Sequence, residues 1–159
     1  MKKLDIKVAP GAKKWLEEWL RQEHVGVEFG SGMSTPWLGN RVKRLISVEH
    51  NPGWLNKVKD ALEEHDVNNV DLVYQPNLKV YPNIIGRMKN RSLDFVFVDG
   101  RERVKCIRGV IPKIKQGGII ILDDAERKRY SEAYFILKDW KLDYFESGRR
   151  DTAIWTKKK

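Results

Sequence analysis

Val27-Glu28-Phe29-Gly30-Ser31-Gly32-Met33-Ser34-Thr35 is the stretch on which the reading of this chain turns. A short apolar strand, Val25 to Phe29, stops at two glycines one residue apart, and hydroxyl side chains follow at once. Glycine at 30 and 32 lets the backbone turn sharply and approach a ligand closely. Ser34 and Thr35 are placed to cap a short helix, whose N-terminal amides suit a carboxylate or phosphate. Alone the pattern is weak, because a plain strand-to-helix turn reads the same way.

The next strand, Arg44 to Val48, ends at Glu49. An acidic side chain about twenty residues beyond such a turn accepts both hydroxyls of a ribose. The dinucleotide fingerprint wants glycine where this chain has Thr35, so that a helix packs closely and a pyrophosphate settles. A single adenosine carrying an amino-acid tail fits better, and Glu28 suits the ammonium of that tail.

Further out the pattern repeats. Asn51-Pro52 is a helix start, with an N-cap side chain and proline in the first turn, and the helix is predicted to run to about Glu64. Val70 to Tyr74 and Leu93 to Val98 read as strands three and four. Residues 78 to 89 are ambiguous, with a helix expected after Pro82. A helix is predicted over Glu102 to Lys115. Gly117-Gly118 then turns into a fifth strand, Ile119 to Leu122. Asp124 is placed to cap a last helix, Ala125 to Asp139, before two strands, Leu142 to Glu146 and Thr152 to Thr156. At the N-terminus Trp15, Leu16, Trp19 and Leu20 stripe a helix from Ala12 to Gln22, so that residues 1–24 pack on or cap the core. Strands alternating with helices imply parallel βαβ units in an α/β fold covered on both faces. In such sheets ligands bind beyond the carboxyl ends of the strands.

Four stretches, taken together, resemble the class I S-adenosylmethionine-dependent methyltransferases. Residues 27–35 look like their first signature and Ser47-Val48-Glu49-His50 like their ribose-binding strand end. Asp94-Phe95-Val96-Phe97-Val98-Asp99-Gly100 and Gly117-Gly118-Ile119-Ile120-Ile121-Leu122-Asp123-Asp124 look like their fourth and fifth strands. The chain is most similar to small O-methyltransferase-like members, without an inserted lid. The resemblance implies a three-layer Rossmann-like fold in one domain spanning residues 1–159. Its mostly parallel seven-stranded sheet would have the order 3-2-1-4-5-7-6 and an antiparallel last strand. The implied cofactor is S-adenosylmethionine, leaving S-adenosylhomocysteine as product. The residues implied to bind it are Glu28, Gly30, Ser31, Gly32, Ser34, Glu49, His50 against the adenine, Asn77 at the adenine edge, and Asp99. Asp99 and Asp124 are the candidate general bases. Asp99, Asp123 and Asp124 also match the magnesium-binding acids of catechol-type members, but asparagine is usual at the third place, so no metal is favoured. Tyr134 and Lys138 have the Tyr-x-x-x-Lys spacing of short-chain dehydrogenases, and without the matching glycine signature they read as a helix face.

Composition sets the bounds. The 159 residues are 41% hydrophobic and 33% charged, and the mean hydropathy is −0.57, as in a globular protein. No apolar run approaches the ~18 residues of a membrane span, and no signal sequence is evident, so a cytoplasmic protein is expected. Cys106 is the one cysteine, which excludes an internal disulfide and a cysteine metal cage. Lys and Arg exceed Asp and Glu by 31 to 22, a net charge of +9, which favours anionic partners. Arg101 and Arg103, Arg127 and Arg129, and Arg149 and Arg150 follow the fourth strand, the fifth strand and the last hairpin turn. They point to an anionic acceptor, a small molecule or glycan, with nucleic acid possible from charge. No Asn-Pro-Pro-Tyr-like element follows the fourth strand, which tilts the expectation toward O-methylation. A catalytically silent cofactor-binding module and a nucleic-acid-binding module are the alternatives. Oligomeric state leaves no mark in the sequence.

Overall fold

The computed structural model describes residues 3–159. Its helices and strands are α1 (Pro10–Trp19), β1 (Val25–Phe29), α2 (Ser34–Gly39), β2 (Arg44–Glu49), α3 (Pro52–Glu64), β3 (Val70–Tyr74), β4 (Leu93–Val98), α4 (Arg103–Val110), β5 (Ile114–Asp123), α5 (Ser131–Ile136), β6 (Lys141–Phe145) and β7 (Thr152–Thr156). The seven strands form one sheet in the order β3-β2-β1-β4-β5-β7-β6, as expected. The first five are parallel, and β7 runs antiparallel to both β5 and β6.

Successive side chains of a strand face opposite ways, and β4 shows the consequence. Val96 and Val98 join Cys106, Ile107 and Val110 of α4 and Ala133 of α5 in one core. Phe95 and Phe97 join Ala12 and Leu16 of α1 and Trp37 and Leu38 of α2 in another. The sheet is thus covered on both faces. α1 lies on it through Ala12 and Leu16, both fully buried, while Trp15 and Trp19 stack on each other at 5.9 Å between ring centroids. Packing, rather than covering the strand ends, is what this helix does. Among the described residues no helix is long and apolar enough to cross a membrane.

Several boundaries differ from expectation, each for a local reason. α1 begins at Pro10 and stops at Trp19, because Leu20 is extended. No helix forms over 78–89 beyond a single 3-10 turn at Tyr81–Asn83, which buries Tyr81 and Pro82. α4 ends at Val110 in a 3-10 turn containing Pro112, which has no N–H to give. Ile114 therefore starts β5 early, and a register shift between Leu93 and Phe95 of β4 absorbs the residues up to Gly118. The last helix shrinks to a 3-10 turn, Lys128–Tyr130, followed by α5. Asp124 caps neither: it is left-handed at φ +53°, and its carboxylate turns toward arginines.

Candidate active site

β1 and β4 end side by side, and two glycines let them do so. Gly30 has φ +95°, and a Cβ there would stand 2.4 Å from the Asp99 carbonyl oxygen. A Cβ on Gly100 would meet the Tyr81 hydroxyl at 2.2 Å. Gly32 is different. A Cβ on it would find nothing closer than Trp54, at 3.8 Å, so packing does not demand glycine at 32. It leaves space open over the strand ends.

The loop is held from behind. Glu28 is completely buried and accepts hydroxyl hydrogen bonds from Ser34, from Thr35 at 2.6 Å and from Ser47 at 2.6 Å. Thr35 Oγ1 in turn accepts the Gly32 amide at 3.0 Å, and Ser31 Oγ lies 2.6 Å from Ser47 Oγ. Burial pushes the Glu28 carboxyl up to about 7, against the pull of the three hydroxyls. Glu28 therefore does not reach the cleft, contrary to expectation; it orders the loop. Ser34 and Thr35 likewise spend their hydroxyls on Glu28 instead of capping α2.

Glu49, also buried, is fixed by backbone donors: Ser31 N at 3.1 Å on Oε1, and His50 N at 3.1 Å and Asn51 N at 2.8 Å on Oε2. One carboxylate thus ties the glycine loop to the first turn of α3. The Asn51 side chain caps that helix by accepting from Trp54 N at 2.9 Å, and the Trp54 indole N–H donates to the Ser31 carbonyl. His50 Nδ1 stands 3.1 Å from Glu49 Oε2 but makes no aligned hydrogen bond.

These elements enclose a cleft of about 680 Å³. Of the expected site residues, Gly30, Ser31, Gly32, Ser34, Glu49, His50, Asp99 and Arg101 line it together. Trp54, Lys57, Lys7 and Arg150 line it too. Neither Trp54 nor Lys7 was expected from the sequence; the one signal for Trp54 was its place in the first turn of the helix that follows Glu49, and Lys7 carried none. Asn77 is not brought there: its side chain accepts the Lys79 amide at 3.0 Å within its own loop.

The sequence family described as a methyltransferase domain matches residues 27–125, which run from β1 past the end of β5. The chain belongs to this methyltransferase-domain family. No curated protein matches it by sequence. Among solved structures, the fold is similar to that of an rRNA methylase from Streptococcus thermophilus (TM-score 0.79, 12% identity, 98% of this chain and 100% of that one). It is also similar to a precorrin-6y C5,15-methyltransferase from Geobacter metallireducens (0.74, 21%, 100% and 93%). A third likeness is to a SAM-dependent methyltransferase from Aquifex aeolicus (0.66, 14%, 93% and 89%).

Beside the cleft, Asp99, Asp123 and Asp124 bring carboxylate oxygens within 4.8 Å of one another. The protein supplies its own cations to them. Arg150 Nε lies 3.3 Å from Asp123 and 3.2 Å from Asp124. Arg103 lies 3.3 Å from Asp99 and 3.7 Å from Asp124, and Arg127 is 3.5 Å from Asp124. Burial and the neighbouring Asp99 push Asp123 up to about 8; burial likewise raises Asp99. Asp124, expected as a second base, is buried among three guanidiniums and does not line the cleft. Only Asp99 does.

The arginines separate. Arg127 is committed to Asp124. Arg149 lies exposed on the hairpin turn and does not line this cleft, whereas its neighbour Arg150 does. Arg129 lines a second groove, which shares Gly100 and Arg101 with the first.

Proposed function

We propose that this methyltransferase binds S-adenosylmethionine in the cleft over Gly30–Gly32 and Glu49 and transfers its methyl group to an anionic acceptor, oxygen ahead of nitrogen. Glu49 carries the reading. Three backbone amides pin a buried carboxylate at the end of β2, and a carboxylate offers about four lone-pair sites, so about one acceptor site remains for a ribose hydroxyl. The residues fit the cofactor. Gly32 is a glycine that the packing does not need, so a ligand accounts for the space it leaves. A cleft of about 680 Å³ is of the size that holds such a molecule, ~300–1,000 Å³.

The cofactor supplies a sulfonium whose methyl group is already electrophilic. The chain's part is to place the acceptor and manage one proton. Gly30 and Gly32 keep the loop close to the strand ends, and Glu49 and Trp54 fix where the nucleoside side of the cleft begins. Asp99 stands at the opposite side, at the mouth shared with the arginine groove. There it takes the proton from an acceptor hydroxyl as the oxygen gains the methyl group, and positioning supplies much of the rate. Arg103, 3.3 Å away, holds the Asp99 carboxylate in place.

A nucleic-acid acceptor is a second reading, favoured by the net charge of +9 and by the rRNA methylase among the structural relatives. The deciding measurement is calorimetric titration with S-adenosylmethionine, beside NAD and a Glu49→Ala control. Saturable binding that the control weakens, with NAD silent, supports the proposal, and no binding sinks it. For the second reading, binding of RNA with a steep salt dependence and its methylation would decide in favour.

A further inference from the structure

The second groove, about 710 Å³, lies between α4 and the 3-10 turn before α5. It opens into the cofactor cleft across Gly100 and Arg101, which line both. Five cationic side chains line it, Arg101, Arg103, Lys105, Arg108 and Arg129, against two carboxylates, Glu102 and Glu132. The carboxylates are already used: Glu102 lies 3.3 Å from Lys105, and Glu132 bonds Arg108. Arg103, nearly buried, is held by Asp99 and by the carbonyls of Gly100 and Asp123. Among the described residues no carboxylate pairs with Arg101 or Arg129.

Tyr130 forms the groove's inner wall. The Arg103 and Arg129 guanidiniums lie 5.0 Å and 5.1 Å from its ring centre. One ring therefore positions both guanidiniums, and of the two Arg129 is the one that no carboxylate pairs with among the described residues. Guanidinium forks match phosphate and carboxylate oxygens bidentately.

The geometry points to this groove as the anchor for a single oxyanion of the methyl acceptor, phosphate or carboxylate, held by Arg101 and Arg129 with its reacting group turned toward Asp99. The inference rests on the methyltransferase reading for what the anion belongs to, but not for the site itself. It also narrows the arginines: Arg127 is spent on Asp124, and Arg149 stands outside the groove. The groove has the volume of a small molecule, and among the described residues only Arg101 and Arg129 in it are left without a carboxylate, which favours a small acceptor with one oxyanion over a polymer whose phosphates spread across a surface.

The test titrates the full chain with inorganic phosphate, with and without saturating S-adenosylhomocysteine, while backbone amide shifts are followed by NMR. Saturable binding that moves the amides of 100–103 and 128–131 is expected, about tenfold weaker in Arg101→Ala and in Arg129→Ala and unchanged in Arg149→Ala. Both targeted side chains are exposed, so these variants should fold, and Arg129→Ala, whose side chain lies outside the cofactor cleft, should keep the parent's affinity for S-adenosylhomocysteine. Phosphate that fails to saturate, shifts elsewhere, or ignores both substitutions overturns the proposal. So does a short oligouridylate that binds with the salt slope of several phosphates while phosphate alone leaves the groove unmoved. Loss of S-adenosylhomocysteine binding throughout would instead overturn the methyltransferase reading, with the phosphate arm still deciding the groove.

Discussion

Thr35 Oγ1 donates to Glu28 Oε2 at 2.6 Å and accepts the Gly32 amide at 3.0 Å. One hydroxyl thus couples the loop to the buried carboxylate behind it. Thr35→Val keeps the shape and removes both bonds, leaving a buried carboxyl short of a donor. A buried hydrogen bond to an ionisable group is worth ~1.5–3 kcal/mol, so the melting temperature should fall by about 5 °C, with weaker cofactor binding. A melting curve identical to that of the parent would show that the bond holds nothing.

Glu28 should give the fold a pH dependence of unusual sign. Its carboxyl is raised from 4.5 to about 7 in the native protein. Below pH 4.5 both native and unfolded chains hold the proton, and nothing is lost. Between there and pH 7 the unfolded chain releases a proton that the native chain keeps, so stability falls as pH rises; above pH 7 the loss is constant at roughly 3 kcal/mol. Urea unfolding at several pH values should show this decline in the parent and a flatter profile in Glu28→Gln. An equally steep decline in both would assign it to other groups.

The two loop glycines should fail in different ways. Gly30→Ala meets a backbone oxygen at 2.4 Å in a left-handed conformation, so it should lower stability by several kcal/mol or prevent folding. Gly32→Ala meets only van der Waals contact at 3.8 Å and should fold normally while binding S-adenosylmethionine at least about tenfold more weakly. Paired melting curves and titrations separate the cases. A Gly32→Ala protein with unchanged affinity would move the ligand elsewhere.

How much of this was readable in the amino acids differs from element to element. β1, β3, β4 and β7 are short apolar runs bounded by turn residues, and their order in space followed from the resemblance. The bounds of α4, β5 and α5 were not readable, because they depend on long-range pairing. Ile114 joins the sheet only because Leu93 waits opposite it, and periodicity cannot see across twenty residues. At the site, Gly30, Glu49 and Asp99 sit at strand ends and were found by that rule. Glu28 was misplaced because its three hydroxyl partners come from α2 and β2. Arg150 and Arg149 are indistinguishable in sequence, and the hairpin turn alone decides which one faces the acids.

Arg150 carries the last prediction. Its guanidinium lies over Asp123 and Asp124, with Arg103 on Asp99, so the three clustered carboxylates already have cations. A Mg²⁺ ion, which binds through one or two carboxylates and keeps several waters, would have to displace one of these guanidiniums. Methyl transfer by the parent should therefore be indifferent to EDTA and to added Mg²⁺. Arg150→Ala removes the guanidinium that lies over Asp123 and Asp124 and should be about 2 kcal/mol less stable. Millimolar Mg²⁺ should then raise the melting temperature of the variant but not of the parent. If instead EDTA abolishes the parent's activity and Mg²⁺ restores it, the acids serve a metal, and Arg150 is a side chain that moves aside for it.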